Sequence, residues 1–441
     1  MQERDTLKIN KFGHLEIADI DTVELVKKFG TPLYVLDERY IRDMCKTYRE
    51  TLKNFYDDHG VILYASKALS CTAIYALMKS EKIGVDVVSG GELYTAMKVN
   101  FPPEKICLHG NNKLTSELRL ALNYGVGRIV VDSISELERL NALCAEMGVR
   151  QKILLRVNPG VEAHTHHYIQ TAKTDSKFGF SLSDGTALQA TKLALSKSNL
   201  LMEGYHCHIG SQIFEQQSFA LAAKKMMQFA AEIRKETGFV STVLNMGGGY
   251  GIWYTEEDRR LEPQGYAEYL KTVFSAIKEY AQKFDLPLPY LLFEPGRSIV
   301  GEAGITLYTV GAIKEIPGVK KYVSVDGGMF ENPRYALYQA KYTPILANRA
   351  NEKNKEIVTI AGKCCESGDI ICADVSLPES KEGDILAVLS TGAYNYSMAS
   401  NYNRNPIPPV ILVLNGEADY IVKPQTYDDI IRNDVVPDRL K

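Results

Sequence analysis

Between residues 60 and 296, short apolar runs alternate with longer stretches whose apolar positions recur every three or four residues. Eight such runs lie at 61–66, 83–88, 105–109, 128–131, 152–157, 204–208, 242–246 and 290–293. They are rich in Val, Ile, Leu and Tyr and end at Gly, Ser, Asn or Pro, as strands buried on both faces do. Helical periodicity fills most of the intervals, at 72–80, 92–100, 116–124, 136–147, 186–198, 217–237 and 266–284. Ser135, with Glu138 three residues on, fits a capping box ahead of the stripe Leu137, Leu140, Leu143 and Cys144. Eight strands alternating with helices predict a (β/α)8 barrel of the TIM type, with an open doubly wound sheet as the competing arrangement.

After about residue 303 the texture changes. The runs at 306–316, 320–325, 356–360, 384–389 and 410–422 are β-like, with only short helical hints, and read as a separate all-β domain. The first 40 residues add β-like pieces at 7–9, 15–17 and 33–36 around one short helix at 23–29. The expected organisation is a barrel over residues 42–302 and a discontinuous β-sandwich or barrel domain built from 1–41 and 303–441.

Composition narrows the class of protein. In 441 residues, 51 basic side chains face 54 acidic ones, a formal net charge of −3, and 24% charged with 45% hydrophobic residues is ordinary for a globular chain. Such a balance predicts neither a nucleic-acid nor a membrane-surface partner, since both need basic patches. No run approaches the roughly 18 apolar residues of a membrane span, so the expected location is cytoplasmic. Eight cysteines are scattered without CxxC spacing, which predicts free thiols, one of them a candidate for catalysis.

Polar residues gather at the ends of the expected strands, where barrel enzymes place their sites. Lys67 ends the first run in Tyr64-Ala65-Ser66-Lys67-Ala68, placed for imine chemistry, although a lysine there is more often a solvated surface residue. Gly247, Gly248 and Gly249 follow the seventh run, where backbone N–H groups approach anions closely. Glu294-Pro295-Gly296-Arg297 follows the eighth and adds an acid and a guanidinium. His206 and His208 share one strand face, so zinc is conceivable, but no third ligand stands at convincing spacing and no metal is expected. An imidazole stacked on a flat cofactor fits better. Residues 162–176 carry His164, His166 and His167 and read as a loop that closes over bound substrate.

Taken in order, these motifs resemble the fold-type III pyridoxal-phosphate-dependent amino acid decarboxylases. Further matches are Asp86-Val87-Val88-Ser89-Gly90-Gly91-Glu92, His109-Gly110-Asn111-Asn112-Lys113, Ser176-Lys177-Phe178-Gly179, Asn332-Pro333-Arg334, Cys365-Glu366-Ser367-Gly368-Asp369 and Thr391-Gly392-Ala393-Tyr394. The resemblance implies an alanine racemase-like architecture and pyridoxal 5'-phosphate as cofactor. Lys67 would hold it as a Schiff base and His208 would stack on its ring. Gly247, Gly248, Gly249, Ser211, Gly296 and Tyr394 would hold its phosphate, with Arg297 at the same mouth. Glu294 would face the pyridine nitrogen, and Asp86 and Arg156 would line the pocket.

By the same resemblance Cys365 protonates Cα and reaches the site from the partner subunit, which implies a homodimer with shared sites. Arg297 and Arg334 would hold a distal carboxylate, Glu366 the distal ammonium, and Tyr338 and Tyr394 the remaining contacts. Each charge-assisted bond contributes about 1.5–3 kcal/mol, so two arginines disfavour a bare cationic tail. The implied reaction is that of a carboxy-lyase of lysine biosynthesis, taking meso-2,6-diaminopimelate to L-lysine and carbon dioxide. Asn395 departs from the pattern, since a small residue more often follows the tyrosine at Tyr394.

Overall fold

In the computed structural model, which describes residue 4 and residues 6–161 and 177–441, eight parallel strands close into a barrel. They are β1 (Gly60–Ala65), β2 (Gly84–Val87), β3 (Ile106–Leu108), β4 (Arg128–Val131), β5 (Gln151–Asn158), β6 (Leu200–His206), β7 (Val243–Asn245) and β8 (Tyr290–Phe293). Each pairs with the next, and β8 returns to β1 through Leu291↔Gly60 and Phe293↔Ile62. This closure excludes the open doubly wound sheet. A further two-residue strand, Phe180–Ser181, pairs in parallel with the end of β5 at Val157 and Asn158. The three-histidine segment 162–176 lies outside the described residues.

The helices Thr72–Ser80, Gly90–Lys98, Thr115–Tyr124, Ile134–Met147, Thr186–Leu195, Gln216–Thr237 and Pro263–Lys283 follow β1 to β7. Helix Ile134–Met147 starts two residues earlier than the sequence suggests. Its N-cap is Ser133, in extended conformation, whose hydroxyl accepts from the Glu136 N–H, so Ser135 lies inside the first turn. The 19-residue helix Glu38–Tyr56 ahead of β1 was not among the expected elements. Its signal is present all the same in Ile41, Met44, Cys45, Tyr48, Leu52 and Tyr56, which repeat at helical spacing and are all buried. No helix among the described residues is long and apolar enough to cross a membrane.

The structure divides into two compact units, one of Arg42–Ile252 and Arg259–Ile299, the other of Met1–Ile41, Trp253–Asp258 and Val300–Lys441. The second unit is built on a mixed sheet. Its centre is the long strand Gly304–Ile316, which pairs antiparallel with Leu33–Asp37, Ile385–Leu389 and Lys320–Val325. A register shift between Val310 and Ile313 lets one strand serve both ends of that sheet. Alternate residues from four strands, Leu33 and Val35, Ile305 and Leu307, Ala387 and Leu389, Ile411 and Val413, form its buried core together with Leu15, Ile17 and Trp253. The expected run 410–422 is two strands, Val410–Leu414 and Glu417–Val422, because Asn415 and Gly416 both take positive φ and make a hairpin turn. Strands Pro344–Leu346 and Ile370–Leu377 also complete the sheet beyond the expected set.

Candidate active site

Inside the barrel, Leu63, Cys107, Val130, Leu154, Val243 and Leu292 form one buried apolar layer. A strand returns to the same face every second residue, so the next inward positions are Ala65, His109, Asp132, Arg156, Asn245 and Glu294. Asp86 on β2 and His206 on β6 stand in register with Ala65 and Asn245. An apolar floor is therefore overlaid by a polar layer at the C-terminal ends of the strands. The same parity makes His208 and Gly247 the next positions outward.

Glu294 is the centre of this layer. It is 7% exposed, and its Oε1 accepts from Asn245 Nδ2 at 2.5 Å. Nε2 of His109 lies 2.8 Å from Oε1, and Nε2 of His206 lies 3.2 Å from Oε2. The His109 nitrogen makes no aligned hydrogen bond, so that contact is an ion pair. Burial alone would raise the Glu294 pKa, but the two imidazoles overcome it and hold the carboxylate well below its usual range. His109 is driven well above its ordinary value, since the pull of Asp86 and Glu294 outweighs its burial. His206 is pushed down to about 4, chiefly by burial. The result is an ionised carboxylate flanked by one charged and one neutral imidazole. Asp86, 2% exposed, is raised to about 6, first by burial. Its Oδ1 has no aligned hydrogen-bond partner.

The third partner missing from the zinc reading does exist, but it joins His206 and not His208: ligand atoms of His109, His206 and Glu294 lie within 4.8 Å of one another. Their charges suit a buried cation-to-carboxylate network better than a metal, because a protonated His109 has no lone pair to give.

Lys67 is exposed, on the turn Ser66–Ala68 that follows β1. Glu92 fixes this turn, its Oε2 accepting from Ser66 Oγ at 2.8 Å and from the Val88 N–H at 2.7 Å. The Lys67 ammonium is close enough to favour the ionised forms of Asp86 and Glu92 and to disfavour protonation of His208. His208, whose pKa is driven well down by burial first, accepts from the Gly248 N–H at 3.4 Å.

Gly247, Gly248 and Gly249 are required by close approach. A Cβ on Gly248 would stand 2.0 Å from the Glu294 carbonyl oxygen, and one on Gly249 2.0 Å from that of Gly210. Gly296 lies against Ala65, which a Cβ would meet at 2.9 Å. Arg297 is buried and donates from Nη2 to Ser211 Oγ at 3.0 Å. Arg156 lies over the Phe178 ring at 4.2 Å and 3.9 Å from Asp132. An ionised carboxylate, an Asp86 oxygen without a hydrogen-bond partner, a neutral imidazole, a Gly-rich turn and a nearby amine suit a flat, phosphorylated cofactor with a basic ring nitrogen.

The other expected residues lie in the β-rich unit. Arg334, 8% exposed, begins helix Arg334–Tyr338, which also carries the half-buried Tyr338. Cys365 and Glu366 are exposed, in a loop whose backbone is held by the buried Asp369, which accepts from the N–H groups of Met329 and Cys364, both at 2.6 Å. Tyr394 takes positive φ and is half-buried.

Sequence reading passed over His109, Asn245 and Asp132 as site residues. Strand parity was the available signal, because each stands two places beyond a core position. It also passed over Tyr254 and Tyr342, whose hydroxyls accept from Arg334 Nη1 at 3.1 and 2.6 Å. Tyr254 stands 80 residues from Arg334 and so leaves no local signal, whereas Tyr342 is only eight residues away.

The family model described as "Pyridoxal-dependent decarboxylase, pyridoxal binding domain" matches residues 39–301, and the chain belongs to that family. Along nearly its whole length it is similar to diaminopimelate decarboxylases. The one from Bacillus subtilis is 51% identical over 433 residues, 98% of this chain and 97% of its own. The structure of the M. jannaschii diaminopimelate decarboxylase, solved with L-lysine, superposes with a TM-score of 0.91 at 37% identity and 99% coverage of both chains. That from Helicobacter pylori, also with L-lysine, gives 0.83 at 31% identity, covering 93% of this chain and 98% of its own.

Proposed function

We propose that this chain is a carboxy-lyase that converts meso-2,6-diaminopimelate to L-lysine and carbon dioxide, the last step of lysine biosynthesis. The observation that carries the reading is Glu294, a buried carboxylate kept ionised at the strand ends, as a group that must hold a proton on a pyridine nitrogen requires. Pyridoxal 5'-phosphate, when bound, supplies a carbonyl for the substrate amine and a cationic ring that accepts electrons. The barrel residues 42–302 bind it. Lys67 would hold it covalently, His208 would lie over the ring, and Asp86 and Arg156 would line the pocket. Gly247, Gly248, Gly249, Ser211, Gly296 and Tyr394 take the phosphate.

Arg297 and Arg334 hold the substrate's distal carboxylate, Glu366 its distal ammonium, and Tyr338 and Tyr394 complete the contacts. Cys365 gives the proton to Cα. Its exposure suits delivery to a second subunit, so the working form is a homodimer with active sites shared across the interface. A cytoplasmic location accords with eight cysteines that are all unpaired.

The test is carbon dioxide release by the cofactor-loaded protein offered meso-diaminopimelate, L-ornithine, L-arginine and L-lysine in parallel. Release from diaminopimelate alone is expected and should vanish in Lys67→Ala together with the absorbance of the bound cofactor. Release from ornithine in preference would overturn the reading of Arg334.

A further inference from the structure

Arg334 is a buried cation. Among the described residues no carboxylate lies within ion-pair distance of it, and its two recorded hydrogen bonds both leave from Nη1, to Tyr254 and Tyr342. An Nη nitrogen carries two hydrogens, so these hydroxyls use up that end of the guanidinium. The remaining edge, Nε with Nη2, is the one that grips a carboxylate in a two-pronged fork.

The hydroxyls are themselves held. Tyr342 accepts from Arg334 and donates to Asn395 Oδ1 at 3.2 Å, and Asn395 Nδ2 donates to the Thr391 carbonyl oxygen at 3.2 Å. Donor and acceptor roles run in one direction along the relay, which leaves no member with a mismatched proton. The rings of Tyr254 and Tyr342 meet edge to face at 5.3 Å, and the guanidinium carbon lies 5.2 and 5.7 Å from their centres. Asn395 and Tyr342 are fully buried, so the relay is shielded from water that would compete for its bonds. Because the Asn395 amide also closes the backbone from Thr391 to Asn395, one side chain steadies both the Arg334 anchor and the turn that carries Tyr394.

We propose that Tyr342, anchored by Asn395, is a positioning residue for substrate specificity: with Tyr254 it fixes Arg334 so that its free edge receives the distal carboxylate. This accounts for an amide at position 395, where a small side chain would leave the Tyr342 hydroxyl without its acceptor. The inference rests on the reading of Arg334 as the substrate's carboxylate anchor.

Calorimetric titration of the cofactor-loaded full chain with L-lysine, which keeps the distal carboxylate, and with 1,5-diaminopentane, which lacks it, separates the two. Wild-type protein is expected to prefer L-lysine; absence of that preference would sink the Arg334 reading itself. Tyr342→Phe is expected to weaken L-lysine roughly tenfold and to leave 1,5-diaminopentane within about twofold. In turnover of meso-diaminopimelate it should raise KM with kcat nearly unchanged. Asn395→Ala should act in the same direction, and in the double variant the two losses should fall short of adding in full, since part of the Asn395 effect runs through Tyr342. Tyr254→Phe removes the other hydroxyl and serves if Tyr342→Phe does not fold. L-Lysine affinity within twofold of wild type, or equal weakening for both ligands, would overturn the proposal.

Discussion

Replacing His109 by glutamine takes away the cation between two buried carboxylates. Nε2 of His109 lies 2.8 Å from Glu294 and 3.8 Å from Asp86, and all three side chains are at most 6% exposed. Removing one partner of a buried ion pair costs about 3–5 kcal/mol, because the remaining charge keeps its desolvation penalty. Glutamine can still hydrogen-bond, so a loss near the lower end, about 3 kcal/mol, is expected.

The pH dependence gives the sign. His109 is raised above its ordinary 6.5, so its stabilisation is complete below that value and fades as pH rises through the raised one. Glu294 is depressed below its ordinary 4.5, so its contribution is present above that value and is lost as pH falls through the lowered one. Asp86, raised from its ordinary 3.8 to about 6, costs stability as pH rises between those two values and adds no further change above them. The difference between wild type and His109→Gln should therefore be full near pH 6, and the cofactor-free wild type should weaken from pH 6 toward alkaline pH. Urea unfolding at several pH values measures both, and ring nitrogen shifts report the charge on His109. A loss under about 1 kcal/mol at pH 6, or a neutral His109 ring at pH 7, would refute the assignment.

Lys113 donates to the carbonyl oxygens of Gly110 and Val130 and to Glu136 at 2.6–2.7 Å, and the Lys113 and Glu136 side chains are both buried, so Lys113→Met should cost about 3–5 kcal/mol in urea unfolding and Lys113→Met/Glu136→Met much less. Gly248→Ala places a Cβ 2.0 Å from a backbone oxygen and should weaken pyridoxal phosphate binding at least tenfold, read from its absorbance, with far-ultraviolet circular dichroism unchanged. Of the adjacent cysteines, Cys364 is half-buried, its thiol pushed up to about 11 by burial and then by Asp369, whereas Cys365 is exposed. Cys365→Ala should lower turnover by roughly 10²-fold or more; Cys364→Ala should keep most of it, and the reverse order would reassign the proton donor.

The sequence by itself determined the barrel, its eight strands and the residues at their ends, because a strand buried on both faces leaves a short apolar run that local order alone reveals. It also carried signals that went unread: the helical stripe of Glu38–Tyr56, and the parity that sets His109, Asn245 and Glu294 on one inward face. Other features belong to tertiary structure alone. Glu294 is an ordinary acid in sequence and is held ionised well below the usual carboxylate range only where β3, β6 and β7 bring His109, His206 and Asn245 around it. Arg334 likewise acquires its orientation from Tyr254, 80 residues away, and from Asn395 behind Tyr342. Burial and the identity of neighbours fix charge and direction, and neither quantity exists for a side chain until distant segments have closed around it.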